Sequence, residues 1–105
     1  MNRPVRITAI AEADIAKAQD YYESRETGLG NRFVKHVRDT IARIAQNPFT
    51  YQIAIEDVRR ARVADFPYGE WYRVLPDESI VIACLSYRQE PGVAKTRALK
   101  PEPSP

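Results

Sequence analysis

The run Ser79–Tyr87 (Ser-Ile-Val-Ile-Ala-Cys-Leu-Ser-Tyr) constrains the fold more than any other part of this chain. A strand with one wet face alternates polar and apolar residues. A nearly continuous apolar run predicts instead a central strand covered on both faces. Two further strands precede it at short spacing. The first runs from about Val58 to Asp65 and the second from Glu70 to Leu75. Phe66-Pro67-Tyr68-Gly69 reads as the turn between them, and Pro76-Asp77 as the turn into the apolar run. Three strands joined this way form an antiparallel meander.

The first half of the chain reads differently. Val5 to Thr8 is short and β-branched, a first strand with Pro4 at its start, where proline is tolerated. Thr8 suits a helix N-cap, and Glu12 and Asp14 suit the early turns of that helix. Ile15, Ala18 and Tyr22 give it one apolar stripe, and it ends before Thr27-Gly28. Leu29-Gly30 opens a second helix, whose stripe is Phe33, Val37, Ile41 and Ile44. Asn47-Pro48 stops it, because proline disfavours helical geometry in the residue before it. The short link predicts an antiparallel helical hairpin. Phe49 to Asp57 reads as an irregular connection.

The expected architecture is therefore α+β, in the order β-α-α-β-β-β. The hairpin packs on one face of a small, mainly antiparallel sheet. Residues 1–99 form a single domain. The stretch Arg88–Pro105 holds four of the eight prolines, and disorder is expected from Lys100 to Pro105.

A chain of 105 residues with 44% hydrophobic content supports one modest core. Net charge is only +2, which excludes a polycationic nucleic-acid coat. The distribution is uneven: Ala9–Glu26 carries five acids against two bases, and Arg88–Pro105 four bases against two acids. Cys84 is the only cysteine and lies in the apolar run, so it reads as a buried, inert thiol. One Cys and one His exclude a structural zinc site, and no cofactor is expected. No segment approaches the ~20 apolar residues of a membrane span. These features point to a cytoplasmic setting with no membrane contact.

Chemistry concentrates in the meander. Side chains alternate across a strand, so Arg60 and Arg62 share one face, while Ala61 and Val63 occupy the other. Paired guanidinium groups on a sheet face are suited to an anionic partner, either a phosphate backbone or an acidic protein surface. Arg59 reads as pairing with Asp57 or Asp65 at an exposed edge. Trp71 and Tyr72 face opposite ways, so one is core and the other is left for stacking or edge cover. His36, the only histidine, reads as a solvated residue of the second helix.

Three blocks together resemble the RelE/ParE superfamily of type II toxin–antitoxin toxins. They are the helical region Ala11–Tyr51, the segment Val58–Val74 (VRRARVADFPYGEWYRV) and Ile80–Pro91 (IVIACLSYRQEP). The Gly28-Leu29-Gly30 opening of the second helix and the long hairpin are more ParE-like than RelE-like. The resemblance implies a cognate antitoxin partner and growth inhibition by the free toxin. The ParE-like reading implies binding to DNA gyrase without a catalytic centre. The RelE-like alternative implies a ribosome-dependent mRNA endonuclease, with Arg60, Arg62, Arg73 and Tyr87 at its site. A third alternative is an inactive toxin fold that only binds its antitoxin. Arg60, Arg62, Trp71, Arg73, Tyr87 and Arg88 are the expected target- or antitoxin-binding residues. The chain departs from RelE-like nucleases in having no lysine between Lys35 and Lys95 and in reading Ser86-Tyr87-Arg88 after the last strand.

Overall fold

A computed structural model describes residues 2–99. Its elements run β1 (Val5–Ile7), α1 (Ala9–Arg25), α2 (Leu29–Gln46), β2 (Ile53–Ile55), β3 (Val58–Arg62), β4 (Tyr68–Val74), β5 (Ser79–Ser86) and α3 (Glu90–Leu99). The α+β class and the helical hairpin are as expected. Two elements were not. The connection after α2 contains the short strand β2, and the segment after Tyr87 forms α3. Residues 100–105, where disorder was expected, lie outside the described residues.

The five strands lie in the order β1-β5-β4-β3-β2. All neighbours are antiparallel except β1 and β5, which pair in parallel from Val5↔Ser79 to Ile7↔Val81. β5 is thus flanked on both sides, as its apolar run requires.

Thr8 caps α1: its hydroxyl accepts from the Ala11 N–H at 3.2 Å and donates to the Val81 carbonyl at 3.1 Å. One side chain therefore starts the helix and ties it to the sheet. Gly28, at φ 90°, reverses the chain between the two helices in the left-handed region that favours glycine. The Glu23 carboxylate closes that reversal by accepting from the Gly28 and Gly30 N–H groups, each at 3.0 Å.

The hairpin covers one sheet face. Phe33, Val37 and Ile44 from α2 and Ala11 and Ala18 from α1 bury Ala61, Val63, Tyr72, Val81 and Cys84. The other face was expected to be left to the arginines and their ligand. Instead α3 crosses it, setting Ala94 and Ala98 on Val58, Trp71, Ile80, Ile82, Ala83 and Leu85. A bulge lets β5 serve both layers. Trp71 is opposite Ala83 and Tyr72 opposite Val81, so Ile82 is an extra residue. Alternation resets there, and Ala83 and Leu85 join Ile80 and Ile82 beneath α3.

The loop from Ala64 to Pro67 makes the β3–β4 turn, with Asp65 at φ 68°. Tyr68 and Gly69, read from the sequence as part of the turn, already belong to β4. The turn shortens because Val63 N–H bonds to Tyr68 O at 2.9 Å and closes the ladder there.

Candidate target-binding face

Alternation on β3 is as expected: Ala61 and Val63 are buried, while Arg60 is half-buried and Arg62 exposed. What the arginines meet differs between them. Arg60 donates to Glu90 of α3 at 2.7 Å, and that carboxylate is itself buried. Gly69 makes the contact possible, because a Cβ there would sit 2.8 Å from Glu90 Oε1 and 3.0 Å from Arg60 Cγ. Arg73 is anchored at both ends of its guanidinium. Its Nε donates to Asp57 at 2.9 Å and its Nη2 to the Ala98 carbonyl of α3. Arg97 makes a forked pair with Asp14 of α1, and Asp14 also accepts from the Cys84 N–H at 3.0 Å. Forked guanidinium–carboxylate contacts are among the stronger polar contacts. They fasten α3, whose buried apolar contribution is mainly alanine.

Arg62 is arranged otherwise. Its Nε donates to the Tyr87 hydroxyl at 2.9 Å. The guanidinium carbons of Arg60 and Arg62 lie 5.7 and 5.6 Å from the centre of the Tyr87 ring, within cation–π range. Tyr87 is half-buried and Arg88 is exposed. The structure therefore groups Arg60, Arg62 and Tyr87, holds Arg73 apart under α3, and leaves Arg88 at the rim. Trp71 and Tyr72 do face opposite ways, but both are buried, Trp71 beneath α3 and Tyr72 beneath the hairpin. The Tyr72 hydroxyl donates to the Pro48 carbonyl. Burial pushes it and the Tyr68 hydroxyl up to about 12, so both stay protonated donors at neutral pH.

Two other expectations are corrected. His36 is not simply solvated. Its side chain is 22% exposed, its Nε2 lies 3.6 Å from Asp65, and its ring packs 5.7 Å from Phe66. Arg59 pairs with neither Asp57 nor Asp65. It donates to the Tyr51 carbonyl at 2.6 Å and stacks over Phe49.

Sequence reasoning missed Glu70. It is fully buried beneath the hairpin opposite Cys84. Among the described residues neither carboxylate oxygen finds a nitrogen or hydroxyl donor. Burial pushes this carboxyl from an ordinary 4.5 up to about 7; the Cys84 thiol opposes the rise, and the smaller effect of the Asp14 charge adds to it. Burial and Glu70 in turn push the Cys84 thiol up, keeping it unreactive. Strand alternation alone places Glu70 on the hairpin side, since it sits two residues before Tyr72. That was the one available signal.

Among the described residues no group of three or more His, Cys, Asp or Glu side chains could hold a metal ion. No helix among them is long and apolar enough to cross a membrane.

A hairpin and a third helix clamp opposite faces of one sheet, with Arg60, Arg62 and Tyr87 grouped at its end. The profile of the ParE toxin of type II toxin–antitoxin system, parDE, matches residues 5–91, and the chain belongs to that family. Membership implies an antitoxin partner. Among solved structures, the chromosomal ParDE toxin–antitoxin system from P. aeruginosa contains a similar chain at 17% identity and a TM-score of 0.70. The match covers 80% of this chain and 95% of that one, and it shows a shared fold. No curated protein matches the chain.

Proposed function

We propose that this ParE-family toxin acts in the cytoplasm as a non-enzymatic inhibitor. It binds DNA gyrase and is neutralised by its cognate antitoxin. Family membership supports the gyrase target over the ribosome. The observation that carries the non-enzymatic half is the Arg60–Glu90 pair. A phosphate-cleaving site needs cations free to meet developing charge and a group able to take a proton. Here the central guanidinium is already matched by a buried carboxylate, and Arg73 is committed to Asp57 and Ala98. The only histidine is on α2 beside Asp65, opposite the arginine face.

The RelE-like nuclease reading retains one favourable observation, the Tyr87 hydroxyl bonded to Arg62 with a second guanidinium over its ring. The two readings separate after brief induction in a bacterial host without antitoxin. Arrest of DNA synthesis before translation, with a rising DNA-damage response, is the expected result. Arrest of translation first, with cleaved messages that Tyr87→Phe abolishes, would establish the nuclease. No growth arrest by a soluble, folded, antitoxin-free toxin would leave only an antitoxin-binding role.

A further inference from the structure

Two concavities meet at Tyr87 and Pro67. One, of about 430 Å³, is lined by Arg62, Asp65, Phe66 and their neighbours in the β3–β4 turn. The other, of about 580 Å³, has a tyrosine floor of Tyr21, Tyr22 and Tyr68, with Arg88 at its mouth. The ring of Tyr87 and the ring of Pro67 form the shared wall, so the two lobes make one cleft across the end of the sheet.

The charges around this cleft are unevenly matched. Arg60 is paired with Glu90, and Arg97 with Asp14. Arg25 is folded over the Tyr21 ring and bonded to its hydroxyl at 2.9 Å. Arg62, like Arg25, is bonded to a phenol hydroxyl, but Arg62 and Arg88 are the arginines that line the cleft, and neither has a carboxylate partner among the described residues. The cleft thus offers two uncompensated guanidinium groups on either side of an aromatic wall. The Tyr22 and Tyr68 hydroxyls, whose pKa values burial raises, add protonated donors to its floor.

That pattern selects its ligand. Guanidinium groups prefer carboxylates or phosphates, and the tyrosine floor prefers an aromatic or apolar side chain. A nucleic-acid strand brings a charge with every nucleotide and draws its affinity from many phosphate contacts. Here the cleft lining carries only two cations among the described residues, Arg62 and Arg88, the Asp65 side chain stands 65% exposed on the rim, and the acidic helix α1 borders the tyrosine lobe. A strand of phosphates would meet those acids; a peptide with two carboxylates avoids them.

We infer that the cleft on either side of Tyr87 grips an extended segment of the target protein, placing carboxylates on Arg62 and Arg88 and an aromatic side chain between them over the tyrosine floor. This names the contact surface for the gyrase reading above and rests on it for the identity of the target.

The test uses the full-length toxin and a synthetic peptide in which two glutamates flank a tyrosine within a glycine–serine chain. Amide chemical shifts are followed during titration. Shifts confined to residues 21–22, 62–68 and 86–88 are expected, with affinity falling about tenfold or more in Arg62→Glu/Arg88→Glu. The matched reversal Arg32→Glu/Lys35→Glu, on exposed positions of α2 outside the cleft, leaves the titration unchanged. Inhibition of gyrase supercoiling should fall in the first variant and persist in the second. No shifts with the peptide, or the same residues shifting with oligothymidylate instead, would overturn the inference, as would undiminished gyrase inhibition by Arg62→Glu/Arg88→Glu. If the wild-type toxin leaves gyrase active while the peptide still titrates the cleft, the gyrase target fails and the surface stands.

Discussion

Glu70→Gln should stabilise this protein at neutral and alkaline pH and do so less as the pH falls. The folded chain holds the Glu70 carboxyl fully buried with no nitrogen or hydroxyl donor among the described residues, and its pKa rises from 4.5 to about 7. Below the lower value both folded and unfolded chains are protonated at this site and folding carries no ionisation cost. Between the two values the unfolded chain releases its proton while the folded chain retains it, so stability declines as pH rises. Above about 7 the loss is complete. At roughly 1.4 kcal/mol per pKa unit, it amounts to about 3 kcal/mol. Glutamine keeps the shape and removes the ionisation. Its buried amide still lacks partners, which costs about 1 kcal/mol at every pH. The expected net gain is therefore about 2 kcal/mol at pH 8, turning into a small loss near pH 4.5. Urea unfolding of both proteins between these limits measures it, with the slope m unchanged. A difference between variant and wild type that stays constant across the range would refute the reasoning and mean that Glu70 is ionised and satisfied in the core.

Three further outcomes concern the clamp on α3 and the core beneath the hairpin. Gly69→Ala should cost about 1–3 kcal/mol by forcing Glu90 and Arg60 apart, and should raise amide exchange in α3 before the rest of the fold. Arg97→Ala strands the partly buried Asp14 and should cost about 2 kcal/mol or more; adding Asp14→Asn should recover part of that loss in a double-mutant cycle. Tyr72→Phe removes the hydrogen bond to Pro48 and should lower stability by about 1 kcal/mol with little effect on growth inhibition, measured by thermal unfolding and plating.

How far the fold is legible in the sequence depends on how strongly each element is patterned. β5 announces itself because it is covered on both faces, and α2 because Phe33, Val37, Ile41 and Ile44 recur at helical spacing. α3 is illegible for the opposite reason. Its inward residues include Ala94 and Ala98, which make no strong stripe, and Glu90-Pro91-Gly92 reads as a break. Yet proline is at home in the first turn of a helix. β2 is only three residues long, with Ile53 and Ala54 exposed, so no periodicity can mark it. The same gap explains what was missed at the site. Alternation placed Arg60 and Arg62 on one face, but only α3 decides that Arg60 meets Glu90 while Arg62 meets Tyr87. Glu70 was invisible because burying a carboxylate without a donor opposes the ordinary preference of charged residues for water.

The parallel pairing of β1 with β5 sets an order of events during synthesis. Among the described strands β1 is the first to leave the ribosome, and the strand it pairs with, β5, is the last. Until Ser79–Ser86 has emerged, the hairpin can form but has no finished sheet to cover, and Phe33, Val37 and Ile44 remain without their partners on β5. A nascent chain in that condition exposes apolar surface that invites association. Arg62 also gains its Tyr87 neighbour only after β5 is complete. The hairpin therefore waits without its completed sheet from the emergence of α2 until β5 follows it out.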